Sequence, residues 1–142
     1  MAGGWRMGLA EKRAIKEFQD TIYPGLTKEL HDVCGFAVDI EIQWETVTQD
    51  GMGHMFNESL TKVYFQPVIE AMKEICVDDM GREALKDGLK KLVFCNTKGT
   101  YLASEAISFE GGVLQVDHEP YSNLNHLDER RKRIVELVSS AL

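Results

Sequence analysis

The chain has 142 residues, 16 basic and 23 acidic side chains, and a net charge of −7 at neutral pH. At this length about two-thirds of the extended chain's surface can be buried, so a core can form without disulfides or a structural metal. The acidity repels nucleic-acid phosphates and anionic lipid, and a hydrophobic fraction of 44% excludes a wholly disordered chain.

The start, Met1 to Met7, lacks the long apolar stretch of a signal peptide and reads as a loose end or a remnant of cloning. Residues 8–34 read as helix, because Ile15, Phe18, Ile22, Leu26, Leu30 and Val33 recur at three- and four-residue spacing. Tyr23-Pro24-Gly25 should kink or divide it, and Gly35 suits a left-handed cap. Phe36, Val38, Ile40, Ile42 and Trp44 alternate with Ala37, Asp39, Glu41 and Gln43, the period of a strand with one face in the core. Asp50-Gly51 suits a hairpin turn into a weaker return leg, residues 52–56. A second helical stripe runs from about 58 to 77, interrupted by Pro67, and Asp78 or Asp79 can cap a further helix through Leu89.

From Leu92 to His118 the pattern predicts a three-stranded antiparallel meander, turning at Lys98-Gly99 and at Gly111-Gly112. Counting from the second turn sets Glu110 opposite Val113, Phe109 opposite Leu114, Ile107 opposite Val116 and Glu105 opposite His118. Counting from the first sets Asn96 opposite Tyr101 and Phe94 opposite Ala103. Asn125, with Asp128 three residues on, reads as the cap of a last helix. The expected architecture is a single α+β domain spanning 1–142. It has a mostly antiparallel sheet of four to five strands including the C-terminal meander, with helices packed on one face.

Chemistry-bearing residues concentrate in two places. Asp117, His118 and Glu119, followed by His126, join the end of a strand to the start of a helix, where a base or a ligand could sit. Successive strand residues point to opposite faces, however, so Asp117 and His118 cannot chelate one ion without a bulge. A cross-strand pair between Glu105 and His118 is the simpler structural reading. The second place is the glycine- and methionine-rich loop 49–56, in which Met52, His54 and Met55 are candidate ligand- or partner-binding residues. His31 and Cys34 share a helix face but lack further ligands. The basic run Arg130-Arg131-Lys132-Arg133 wraps round a helix rather than forming one patch, and Asp128, Glu129 and Glu136 can partner it.

Cys34, Cys76 and Cys95 have no zinc or disulfide spacing and read as reduced packing residues of a cytoplasmic protein. No motif for a phosphate loop, a zinc protease, a serine nucleophile or a dinucleotide site is present. No metal and no cofactor is expected, and neither nucleic acid nor membrane is an expected partner. The leading expectation is a non-catalytic module that binds a basic protein or a second copy of itself. Its second sheet face, with Val93, Cys95, Leu102 and Val113, motivates the self-association. The alternative is a small hydrolase or ligand-binding enzyme built on Asp117, His118, Glu119 and His126.

Overall fold

A computed structural model describes residues 8–142; the reading of the start falls on residues 1–7 and lies outside the described residues. The first predicted helix is divided in two, α1 (Leu9–Thr21) and α2 (Tyr23–Cys34), the second with Pro24 in its first turn. Proline suits that position because its missing N–H would be unsatisfied there anyway. Gly35 ends α2 at φ 82°, as expected of the left-handed cap. The predicted strand is shorter than its alternation: only β1 (Ile40–Ile42) pairs. Val38 is buried, while Ile40 and Ile42 are half-buried against the core. After β1 the chain turns rather than forming a hairpin. Its expected return leg is a 3₁₀ turn (Gly53–Met55) that runs into the next helix.

That helix is continuous from residue 56 to 75, with α3 (Phe56–Ser59), a π-helical turn (Leu60–Phe65) and α4 (Gln66–Ile75). In the wide turn the N–H of Gln66 donates to the carbonyl of Thr61, five residues back. The next donor in that register would be Pro67, which has none, so the carbonyl of Lys62 is left without a backbone partner. Asp78 then caps α5 (Asp79–Gly88), accepting from the N–H of Gly81 at 2.8 Å.

Beyond α5 lie β2 (Lys91–Cys95), the short α6 (Ala103–Ala106), β3 (Ile107–Glu110), β4 (Val113–Asp117) and α7 (Leu127–Ala141). The hairpin across Gly111-Gly112 has the expected register: Ile107 opposite Val116, Phe109 opposite Leu114 and Glu110 opposite Val113. Both glycines have positive φ, 59° and 82°, which the tight turn needs. The rest of the meander is absent. Strand order is β1-β2-β4-β3, with β1/β2 and β2/β4 parallel and only β3/β4 antiparallel. The sheet is therefore mixed and mostly parallel, with four strands among the described residues. Neither Asn96 with Tyr101 nor Phe94 with Ala103 forms a pair; β4 takes that side of β2, with Leu92 beside Leu114 and Phe94 beside Val116. Residues 96–106 serve as a crossover instead.

Inward side chains of α1, α2, α4, α5 and α7 join Leu92, Phe94, Ile107, Leu114 and Val116 in one core cluster. Val93 and Cys95 point to the other face and lie outside that cluster. In register Val93 lies between Glu41 and Gln115, and Cys95 lies beside Asp117. Both apolar side chains are buried, and Lys91 pairs with Glu41 at 2.7 Å on the same face. No helix among the described residues is long and apolar enough to cross a membrane.

Candidate functional site

Three parallel strands end at the same edge of the sheet, and the segments that follow them converge. Thr46, Thr48, Gln49 and Met52 come from the chain after β1, Asn96 from the residue after β2, and Glu119, Pro120, Tyr121 and Ser122 from the chain after β4. Together they line a cleft of about 500 Å³. Ligands of open α/β sheets collect outside the carboxyl ends of parallel strands, where diverging connections leave a crevice. Thr46 ties two of the segments together: its hydroxyl donates to the carbonyl of Gln43 at 2.8 Å and accepts from the N–H of Asn96 at 3.1 Å.

Asp117 sits beneath this rim and is buried. Its carboxylate accepts from the N–H of Thr97 at 2.7 Å, the hydroxyl of Thr97 at 2.5 Å and the N–H of Lys98 at 3.3 Å. It holds the crossover after β2 and has little capacity left for catalysis. His118 is also buried, at 0% exposure. Its Nδ1 lies 2.6 Å from the carbonyl of Glu119, which can only accept, so Nδ1 carries the proton and donates. Nε2 is buried with no hydrogen-bond partner among the described residues. The backbone of His118 is pinned twice: its N–H donates to Cys95, and its carbonyl accepts from the Tyr64 hydroxyl at 2.5 Å.

The expected pairing of Glu105 with His118 does not form. The β3/β4 ladder stops at Ile107 and Val116, and Glu105 lies in α6, exposed, accepting from the Thr100 hydroxyl at 3.0 Å. The helical turn carries the chain away from the sheet before the register reaches residue 105. His126 also stands apart; it is exposed, 3.6 Å from Glu129, at the start of α7. Asn125 does not cap that helix; His126 occupies the position, with no side-chain cap bond. Of the loop candidates Met52 reaches the cleft, whereas His54 is exposed at a separate groove beside Glu11, Arg13 and Glu17. Met55 is half-buried outside both. Among the described residues, no three His, Cys, Asp or Glu side chains converge to hold a metal ion.

One wall of the cleft has elaborate support. Glu119 accepts from the N–H of Tyr121 at 2.8 Å and from the Ser122 hydroxyl, fixing the turn. Behind it Arg130, 1% exposed, donates to the carbonyls of Asn123 (2.8 Å), Leu124 (2.9 Å) and Lys62 (3.2 Å). The last is the carbonyl orphaned by the π turn and Pro67. Asn123 is in the left-handed region at φ 55°, the one non-glycine residue with positive φ among those described. Such strain costs energy and persists where surrounding structure demands it. The basic run thus serves three different ends: Arg130 is a buried brace, Arg131 pairs with Glu74 at 2.6 Å, and Arg133 pairs with Glu136 at 2.8 Å.

Burial lowers the pKa of His118 below its ordinary 6.5, and the neighbouring positive charge of Arg130 lowers it further. The folded protein therefore keeps this ring neutral while an unfolded chain takes up a proton as pH falls through about 6.5. Stability is complete above that value and declines as pH descends from it toward the depressed folded value. Urea midpoints at pH 7.5 and pH 5.0 are expected to differ more for the unmodified chain than for His118→Gln. Equal pH dependence in the two would refute the buried neutral ring.

No family model, curated protein or solved structure matches the chain.

Proposed function

We propose that this protein is a non-catalytic binding module whose binding site is the cleft at the carboxyl ends of β1, β2 and β4. The observation that carries the reading is the bracing of one wall. A π turn, a buried arginine, a buried histidine and a left-handed asparagine all hold residues 118–124 in place. Site residues that must be pre-positioned need such support from behind. Asp117 and His118 favour binding over catalysis, since the first is committed to backbone donors and the second is enclosed. A basic protein suits the net charge of −7 better than a second copy does. The self-association argument loses most of its apolar patch, because Val93 and Cys95 are buried, Val113 is half-buried and Leu102 lies outside the sheet. Cys34 and Cys76, neighbouring buried free thiols, suit a reducing compartment such as the cytoplasm.

The test is a thermal-shift screen of the full chain against small polar metabolites and short peptides. At least one compound is expected to raise the melting temperature by several degrees, and Thr48→Trp, which fills the cleft, should abolish that rise. Turnover of ester, amide or phosphate substrates that disappears in a folded His118→Gln variant would overturn the non-catalytic reading.

A further inference from the structure

We infer, building on the reading of the cleft as a binding site, that it receives the cationic head of an arginine or lysine side chain from a protein partner. An apolar neighbour of that residue rests on Tyr101 and Leu102. Among the described residues that line the cleft, Glu119 is the sole charged side chain, and none of them is a lysine, arginine or histidine. Its carboxylate is already oriented, one oxygen by the N–H of Tyr121 and the other by the Ser122 hydroxyl. Each carboxylate oxygen has two lone pairs, so both retain capacity for a further donor. The remaining lining is neutral and rich in oxygen acceptors, as a guanidinium or ammonium requires. An anionic ligand would meet a carboxylate, with no counter-charge among the described lining residues.

The apolar half of the surface adjoins the same wall. The N–H of Glu119 donates to the carbonyl of Thr100 at 2.7 Å, and the Asn123 side chain donates to the carbonyl of Tyr101 at 3.1 Å. Thr100 and Tyr101 are therefore anchored by their backbone to the cleft wall, and Tyr101 and the next residue, Leu102, are 53% and 48% exposed. An aromatic and a leucine presented side by side on a fixed loop fit a partner's apolar residue. A free polyamine would leave them uncovered, which is why the source is a protein segment.

The experiment is a titration of the isotope-labelled full chain followed by NMR, with acetyl-arginyl-leucine amide as probe. Amide signals of Gln49, Asn96, Tyr121 and Ser122 are expected to move together with those of Tyr101 and Leu102. The citrulline counterpart, equal in shape but uncharged, should bind about tenfold more weakly, the scale of one charge-assisted hydrogen bond. Glu119→Gln should reduce the preference for arginine over citrulline. Leu102→Ser should weaken the dipeptide and leave acetyl-arginine amide unaffected. Equal binding of the citrulline peptide at the same residues would sink the cation and leave the cleft standing as a site. Tighter binding of spermidine than of the dipeptide would overturn the protein source. No movement of any cleft signal with any of these probes would remove both this inference and the binding reading beneath it.

Discussion

Arg130→Leu is expected to destabilise the protein by about 3–5 kcal/mol, read from urea unfolding at pH 7.5. Two effects oppose each other. Removing the guanidinium relieves a desolvated charge that has no carboxylate partner among the described residues. It also strips three carbonyls, those of Lys62, Asn123 and Leu124, of their donor. Each half-buried acceptor left unmet costs up to roughly 1–3 kcal/mol, and leucine is too short to fill the vacated volume. The three acceptors outweigh the single charge. Arg130→Lys should fall between the two, because an ammonium keeps the charge but cannot span the same fork. A loss under about 1 kcal/mol in the leucine variant would mean that water or local rearrangement satisfies those carbonyls, and the brace would not exist.

Phe94→Ala is expected to cost about 3–5 kcal/mol, the range for truncating a large buried aromatic. Phe94 lies in β2, between β1 and β4, and is 0% exposed. Its ring centroid is 4.9 Å from that of Phe65 and 5.3 Å from that of Tyr64. The substitution removes burial and both ring contacts, and the side chains around the cavity come from a sheet and a helix that cannot both collapse into it. Tyr64 has a second tie, to the carbonyl of His118, so loosening it reaches the cleft wall. The variant should therefore also weaken ligand binding at the cleft, measured at a temperature where it remains folded. A loss of less than about 1.5 kcal/mol would contradict the assigned core position.

The helices and the Gly111-Gly112 hairpin were legible because their determinants are local. Apolar spacing, Pro24, Gly35 and Asp78 each act within a few residues. The sheet topology was not legible, and the reason is geometric. A period of two assigns Leu92, Phe94, Leu114 and Val116 to one face whether their strands run parallel or antiparallel. Lys98-Gly99 does turn, with Gly99 at φ 67°, but Asp117 captures Thr97 and Lys98 and commits the chain to a crossover. No short-range pattern announces that capture.

The site suffered from the same blind spot. Glu119 and Met52 belong to two clusters that are unrelated in the sequence, and only the parallel arrangement joins them. Thr46, Thr48, Asn96, Tyr121 and Ser122 carry no motif; each matters because it follows the end of a strand. Arg130 had a usable signal. It lies four residues before Ile134 and eight before Val138, the buried row of α7.

The two borders of the sheet are short. β1 offers three residues and β3 four, and the carbonyl of Val38, just before β1, is occupied by the His31 ring at 3.2 Å. A neighbouring polypeptide seeking to extend the sheet finds few free backbone groups to copy. Edge-on polymerisation of the amyloid or domain-swapped kind has little template here, even though the central strands are apolar enough to support it. Any complex this protein enters is thereby directed away from backbone pairing and toward side-chain recognition.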